Sequence, residues 1–232
     1  MLYTEEAVKA NIRSREGKRV FFLGKNDNLT SAARDYLSRE RIEIRPAQSA
    51  RPERFPLLGG GYCEEKPEHM THLDGVTLAP KTHPRIIFRG KMDTLEANLI
   101  LCRLFVPRFD RELKDILGYV RQLLRCEVLG EPVPEQKICG LTEQELRQHS
   151  HFPQDYYNQP HFMPESEDGR EIAILNLARC AAREAELAAA AAFTDGYGQV
   201  SRADLLRACN RLSSAVYLLM IRQRAARNEG TP

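Results

Sequence analysis

The chain has 232 residues, enough for one main domain with a buried core and a smaller additional unit. Its formal net charge of +2 is close to neutral, which gives no electrostatic argument for binding to nucleic acid or to a membrane surface. No stretch approaches the ~18 consecutive apolar residues of a membrane-spanning helix, and the first thirty residues carry charges throughout, so we expect neither a membrane span nor a signal peptide. We therefore expect a cytoplasmic protein. Its six cysteines are scattered without a Cys-x-x-Cys pair, so we expect reduced thiols and no metal site.

The N-terminal part of the chain, residues 1–50, is predicted to form a small α/β unit. It should contain a strand, a helix capped by Thr30 or Ser31 and a second strand, at residues 20–23, 30–40 and 42–44. Residues 51–70 are rich in proline and glycine, which is typical of a linker. A further irregular stretch is expected from residue 71 to residue 84.

The rest of the chain, residues 71–232, is predicted to be a helix bundle. Apolar residues recur at helical spacing in segments at 85–105, 111–129, 142–149, 168–193 and 201–227. Thr142 and Glu145 form a capping box, and Ser201 is the expected cap of the last helix. The predicted fold class is mainly α, an up-and-down bundle of four to five helices with a small N-terminal α/β appendage.

One predicted helix, at 171–186, carries two arginines on a single face. That face consists of Asn176, Arg179, Arg183 and Glu186, with small apolar residues on either side. A guanidinium beside a core needs an anion, because an unpaired buried charge is costly. The pattern fits a site for a polyanion. It fits equally an exposed face on which Arg183 pairs with Glu184 or Glu186, and both interpretations remain open.

The irregular stretch before the first long helix has the composition of a phosphate cradle. Small hydroxyls, a glycine and two cations precede the helix, at Thr71, Gly75, Thr77, Lys81 and Arg85. Backbone amides in a glycine-bearing turn, together with Lys or Arg, are suited to phosphate binding. The spacing is not that of a Walker loop, so an ordinary loop is the alternative.

Two further polar positions interrupt apolar helices. Asp93 is either exposed or the partner of an arginine on the 171–186 helix. Asn210 lies in the last helix, where it would adjoin the arginine face if the two helices pack together. No Ser-His-Asp or Cys-His arrangement is recognisable, so the chemistry is expected to come from the substrates.

Three segments, in this order, resemble the ATP:cob(I)alamin adenosyltransferases, most closely their ethanolamine-utilisation branch. The family's Lys-Asp-Asp-Pro-Arg and Val-Asp-Glu-Leu-Asn-Ala elements correspond to KTHPR at 81–85 and MDTLEA at 92–97. Its arginine helix corresponds to LNLARCAAREAE at 175–186, where Glu184 replaces an arginine. Its last helix corresponds to CNRLSS at 209–214, and GLTEQEL at 140–146 is similar to the ethanolamine branch.

The resemblance implies transfer of the 5′-deoxyadenosyl group of ATP to the Co(I) centre of reduced cobalamin, with release of triphosphate. It implies that Lys81, Arg85 and Arg183 stabilise the triphosphate, with Mg²⁺ sharing that role. Asp93 and Arg179 are expected to form an ion pair that shapes the site. The resemblance extends the ATP-binding set to Thr71, Gly75, Thr77, Glu186 and Asn210.

Two positions depart from the family pattern. The ethanolamine branch carries a Cys-Cys-x-x-Cys cluster where this chain has YCEEK, with Cys63 alone. The family also places an aromatic residue three before a proline, to displace the lower axial ligand of cobalt. Here HFMP puts His161 at that place and Phe162 one residue later, so both are candidate corrinoid contacts.

The resemblance also suggests partners. A corrinoid reductase, an adenosylcobalamin-dependent lyase and a bacterial microcompartment are expected partners, and a homotrimer is the expected assembly, with a dimer as its alternative. The alternative function is a non-catalytic chaperone that binds corrinoid or nucleotide, or a microcompartment interaction protein.

Overall fold

In the computed structural model, residues 2–15, 18–24, 27–46 and 54–229 are described. They divide into two compact units, residues 1–66 and residues 67–232. Residues 51–53 of the predicted linker lie outside the described residues.

The first unit combines short strands with two helices. In chain order its elements are β1 (Leu2–Tyr3), α1 (Glu5–Ala10), β2 (Arg13–Arg15), β3 (Lys18–Leu23), β4 (Asn28–Leu29), α2 (Ser31–Arg39), β5 (Glu43–Pro46), β6 (Phe55–Pro56) and β7 (Tyr62–Cys63). β3 is the central strand of a three-stranded sheet, antiparallel to β2 and parallel to β5. The predicted strand–helix–strand order is confirmed, and Thr30 is the cap of α2.

The second unit begins with a hairpin and continues as helices. Its elements are β8 (Met70–His72), β9 (Leu78–Pro80), α3 (Pro84–Phe105), α4 (Asp110–Leu129), α5 (Glu143–His151), α6 (Pro153–Tyr157), α7 (Arg170–Phe193) and α8 (Ala203–Glu229). The mainly α fold class is thereby confirmed. The β8–β9 hairpin lies in the stretch that was expected to be irregular.

Four long helices enclose the main core. α3 packs against α4 and α7, and α8 packs against the same two helices, so the four form a ring. Pairs of contacts show that neighbours are antiparallel. Between α3 and α4, Arg85 meets Glu127 and Arg103 meets Asp110; between α3 and α7, Lys91 meets Glu184 and Cys102 meets the carbonyl of Ile174. Between α7 and α8, Glu186 meets Asn210, and Arg224 meets Asp168 just before α7. Because α4 and α7 run in the same direction, the segment 130–169 returns along α8 to the start of α7.

Several helix termini follow ordinary capping rules. Pro84 opens α3, Gly130 ends α4 in the left-handed region at φ 69°, and the capping box of Thr142 and Glu145 is present. The prediction for Ser201 is wrong. Its hydroxyl donates to the carbonyl of Phe193 at 3.1 Å, and α8 begins only at Ala203.

Candidate functional site

The β8–β9 hairpin closes its turn with a carboxylate of its own. Asp74 Oδ1 accepts hydrogen bonds from the amides of Thr77 at 2.6 Å and Val76 at 2.9 Å. These two bonds hold the pKa of Asp74 below its usual value. Two amides of the predicted phosphate cradle are therefore already occupied by a carboxylate within the loop.

A buried carboxylate on α4 binds two arginines of α3. The side chain of Glu127 is 0% exposed, and its two oxygens accept from Arg85 Nε at 2.5 Å and Arg89 Nε at 2.6 Å. Arg85 also donates to the main-chain carbonyl of Glu127 at 3.0 Å. Arg89 donates to the carbonyls of His72 at 3.1 Å and Leu73 at 2.5 Å. One guanidinium thus ties the hairpin to both α3 and α4.

His83 caps α3 beside this cluster. Its Nδ1 accepts a hydrogen bond from the amide of Arg85 at 3.2 Å, so that nitrogen carries no proton. Burial lowers the pKa of His83, and the adjacent cations Arg85 and Arg89 lower it further. The cap therefore depends on a neutral imidazole.

The three cations predicted to meet a phosphate chain differ in their surroundings. Arg85 is in the buried ion pair with Glu127. Lys81 and Arg183 are both exposed, and in the described part of the chain neither side chain forms a hydrogen bond or an ion pair. Lys81 and Arg183 are therefore the two cations that remain open to an anionic ligand.

The polar faces of α7 and α8 meet, as the sequence suggested. Asn210 Nδ2 donates to Glu186 Oε1 at 2.6 Å, and Ser213 Oγ donates to the main-chain carbonyl of Asn210 at 3.0 Å. Glu184 instead pairs with Lys91 on α3 at 2.7 Å. Within the described residues neither glutamate is an ion-pair partner of Arg183, so the interpretation as a paired, exposed face is not supported.

The expected pair of Asp93 and Arg179 does not form within one chain. Asp93 is exposed on α3, while Arg179 is half-buried on α7 and its Nε donates to Asn176 Oδ1 at 2.9 Å. Across the ranges that the structure describes, no ion pair joins the two.

A cleft of about 340 Å³ opens beside α7 and α8. Its lining includes His151, His161, Arg179, Arg183, Ser213 and Tyr217. A second depression of about 360 Å³ shares His161, Arg179 and Tyr217 with it and adds Phe162 and Met163. The two form one groove, which we call the α7–α8 groove. The β8–β9 hairpin contributes no residue to it.

His161 presents a ring face to this groove rather than a nitrogen lone pair. Its Nε2 is 3.1 Å from the carbonyl of His151, which only accepts, so Nε2 carries a proton and donates. In the neutral ring Nδ1 then accepts from the hydroxyl of Tyr217, 2.9 Å away. The two rings are nearly parallel, with an interplanar angle of 10° and centroids 5.8 Å apart. Both nitrogens are engaged, which leaves the flat face for contact.

Phe162 lies on the protein side of the same aromatic group. It is half-buried, its ring centroid is 6.3 Å from that of Tyr217, and the guanidinium of Arg224 lies 4.2 Å from its centroid. His161 is the more exposed of the two candidate corrinoid contacts.

The described residues contain neither a cluster of metal-ligating side chains nor a membrane-spanning helix. No group of three His, Cys, Asp or Glu side chains is placed to hold a metal ion there. Nor does that part of the chain contain a helix that is long and apolar enough to cross a membrane.

Sequence reasoning missed three residues of these clusters. Glu127 occupies a core position of α4, one turn after Leu123 and two after Val120, and an acid at such a position is a usable signal for a buried ion pair. Arg89 follows Arg85 by one turn, which placed it on the same face. Tyr217 stands in an apolar run and gave no signal of its own.

Comparison with known proteins decides the family. A model of the cobalamin adenosyltransferase family matches residues 61–223. The chain is 31% identical to corrinoid adenosyltransferase EutT of Escherichia coli (strain K12), over 94% of this chain and 90% of that protein. It is 32% identical to corrinoid adenosyltransferase EutT of Salmonella typhimurium (strain LT2), with the same coverage. The chain belongs to the cobalamin adenosyltransferase family.

As a cobalamin adenosyltransferase the chain is a transferase whose substrates, by family, are ATP and a corrinoid. The matched range includes the β8–β9 hairpin, the buried Glu127 cluster and the α7–α8 groove. The resemblance drawn from the three sequence motifs is thereby confirmed.

Proposed function

We propose that this protein transfers the 5′-deoxyadenosyl group of ATP to Co(I) of reduced cobalamin and so supports ethanolamine utilisation. The observation that carries the proposal is the α7–α8 groove. It brings Arg179 and Arg183 of the arginine helix together with the flat aromatic pair of His161 and Tyr217. Cations beside a flat apolar face suit a charged nucleotide next to a corrin ring.

The proposed reaction is a displacement at carbon. The electron pair of Co(I) forms a bond to C5′ of the ribose, the C5′–O bond breaks, and its electrons leave with the triphosphate. The nucleophile is the metal of the substrate and the leaving group needs no proton, so positioning and charge stabilisation are what the protein supplies.

Lys81 and Arg183 are assigned to the triphosphate because both are exposed and, among the described residues, without an ion-pair partner. Arg85 is assigned to the scaffold, since its guanidinium already donates to the carboxylate and to the main-chain carbonyl of Glu127. Mg²⁺ would arrive with ATP, because this ion is usually held by substrate phosphates with one or two carboxylates. No step depends on a protein ligand for that ion.

The nucleoside part of ATP is assigned to the hairpin and to α8. Thr71, Gly75 and Thr77 would border it from the hairpin. Asn210, oriented through its bond to Glu186, would use its side-chain carbonyl oxygen to accept from the nucleotide. His161 and Phe162 are assigned to the corrinoid, with the exposed ring of His161 facing it.

The separation of the two cations supports a site shared between copies of the chain. Lys81 lies on the hairpin, which does not line the groove that contains Arg183. Within the described part of one chain, Asp93 and Arg179 also form no ion pair with each other. We infer a homotrimer, with a dimer as the alternative, in which the hairpin of one copy meets the groove of the next and Asp93 pairs with Arg179 across the contact.

Mixing two variants tests the shared site, at an ATP concentration so far below their raised KM that each variant alone shows little activity. Lys81→Ala and Arg183→Ala chains are unfolded together and refolded, so that mixed oligomers form. If the site is shared, some contacts contain neither defect and activity returns to a substantial fraction of the wild-type value. If both residues act within one chain, the mixture stays as inactive as its components.

The physiological part of the proposal has its own test. A bacterium that lacks its corrinoid adenosyltransferase for ethanolamine growth should regain growth on ethanolamine and cobalamin when it expresses this chain. We place the protein in the cytoplasm beside a microcompartment, where a corrinoid reductase supplies Co(I) and an adenosylcobalamin-dependent lyase uses the product. Growth that returns only with added adenosylcobalamin would contradict this role.

Arg183→Ala tests the triphosphate assignment. Since the side chain is exposed and, in the described residues, free of ion pairs, we expect the fold to be kept and KM for ATP to rise about tenfold or more. Arg121→Ala is the matched control, because Arg121 is a comparably exposed arginine of the bundle that pairs with Glu96 away from the groove. Unfolding of the Arg183 variant would show that the arginine is structural.

A further inference from the structure

We propose that Arg89 and Glu127 are positioning residues for nucleotide binding, acting through the β8–β9 hairpin. This inference rests on the proposed function, because that function assigns the hairpin to ATP. Neither residue belongs to the motifs that carried the family resemblance, and neither lines the α7–α8 groove.

The β8–β9 hairpin has little backbone pairing to hold it in place, although its residues Leu78 and Ala79 are buried. Its strands contain three residues each and, among the described strands, pair only with one another. An isolated two-stranded hairpin is at best marginally stable in water. A loop that places Lys81 against a phosphate chain needs a fixed position, because a shift of about 1 Å can cost a large factor in rate.

Arg89 anchors the hairpin to the helix bundle through three of its N–H donors. Nη1 and Nη2 bind the carbonyls of His72 and Leu73, at the end of β8 and the start of the turn, while Nε binds Glu127. A guanidinium is suited to this task because its donors lie in one rigid plane. The side chain is 18% exposed, so water competes little for these bonds.

Glu127 fixes the position of the Arg89 side chain. Its carboxylate has no exposed surface, and its oxygens bind Arg85 and Arg89 separately. Two cations around one buried carboxylate leave the group with a net positive charge, next to the hairpin that carries Lys81. The contacts of Glu127 with Arg89, and of Arg89 with the hairpin, therefore connect α4 of the rigid bundle to the proposed nucleotide loop.

Arg89→Met tests the inference, since it removes the three donors and keeps the aliphatic length, while Glu127 retains Arg85. Hydrogen exchange of the amides of Leu73 and Lys81, which are bonded within the hairpin region, is compared with steady-state kinetics. We expect faster exchange at both amides, a rise of about tenfold in KM for ATP, and KM for cob(I)alamin within twofold of wild type. Arg89→Lys keeps the charge but not the planar fork of donors. Its amide exchange rates and its KM for ATP should lie between those of wild type and Arg89→Met.

Arg121→Met is the matched control, because it removes an exposed arginine bridge between the same two helices without touching the hairpin. It should leave both exchange and kinetics unchanged. Unchanged exchange in Arg89→Met would overturn the positioning role. Faster exchange with an unchanged KM for ATP would overturn the assignment of the hairpin to ATP instead, so the two failures are distinct. If Arg89→Met does not fold, Arg89→Lys decides by the same two readouts.

Discussion

Among the described residues, Glu127 is the one charged residue that is fully buried. A fully buried carboxylate is tolerated only when its charge is balanced, and here two arginines balance it. The arginines are 27% and 18% exposed, so removing the carboxylate would leave two poorly solvated cations side by side. Breaking such a buried cluster costs far more than breaking a surface pair.

Glu127→Gln should lower the free energy of unfolding by about 3 kcal/mol, because the amide keeps the shape but not the charge. Urea-induced unfolding measures this. Glu96→Gln, which weakens the more exposed pair with Arg121, is the control and should cost at most about 1 kcal/mol. Equal losses in the two variants would contradict the special role of Glu127.

His83 makes the start of α3 sensitive to pH. Its folded-state pKa is lowered from 6.5 by burial and by Arg85 and Arg89, so below about pH 6.5 the unfolded chain binds more protons than the folded one. The stability contributed by the neutral cap is thus fully present above that value and is lost as the pH falls through the folded-state pKa.

His83→Asn isolates this effect, since asparagine caps a helix without titrating. The difference in unfolding free energy between wild type and variant should be constant above about pH 7.5 and should move against the wild type between pH 7 and pH 5. Taking the difference cancels the titration of the carboxylates. A difference that does not vary with pH would show that His83 is not a titrating cap.

At the scale of elements, helices were predictable and the hairpin was not. α3, α4 and α7 follow the apolar periodicity of their sequences, and their starts agree with the predictions within two residues. The β8–β9 hairpin was missed because each strand is three residues long and its turn is closed by the side chain of Asp74 rather than by a characteristic dipeptide. Ser201 was misassigned because α8 starts two residues later.

The candidate site likewise contains contacts that the sequence could suggest and contacts that it could not. That Asn210 adjoins the polar face of α7 was expected if the two helices pack together, because helical spacing fixes which residues share a face. The pairing of Arg85 with Glu127 was not foreseen, since it joins residues 42 positions apart whose contact depends on how α3 packs on α4. The hydrogen bond between Tyr217 and His161, 56 positions apart, was not foreseen for the same reason.

Tyr217→Phe tests whether the bond to His161 orients the corrinoid face of the groove. The ring stacking remains, but His161 Nδ1 loses its donor, so we expect KM for cob(I)alamin to rise roughly three- to tenfold, with KM for ATP unchanged. Tyr157→Phe is the matched control, because it removes an equivalent hydroxyl, 2.8 Å from His149 Nδ1, that does not line the groove. Identical effects of the two variants would contradict a role for Tyr217 in corrinoid binding.

At the level of the whole molecule, our proposal places the site between copies of the chain. The hairpin with Lys81 and the groove with Arg183 lie in the same helical unit, yet they share no cleft that we identified. Assembly from several copies would complete the site and would allow Asp93 to pair with Arg179 of a neighbouring copy. We therefore expect the oligomer to be active and an isolated chain to be inactive.

Anaerobic incubation of the full-length protein with ATP and chemically reduced cobalamin tests the central claim most directly. Adenosylcobalamin is followed by its absorbance and the inorganic products are separated by ion exchange. We expect adenosylcobalamin and triphosphate in equal amounts, with Arg183→Ala needing at least about tenfold more ATP for the same rate. Tight binding of the corrinoid without consumption of ATP would contradict it and would indicate a chaperone that carries the corrinoid instead.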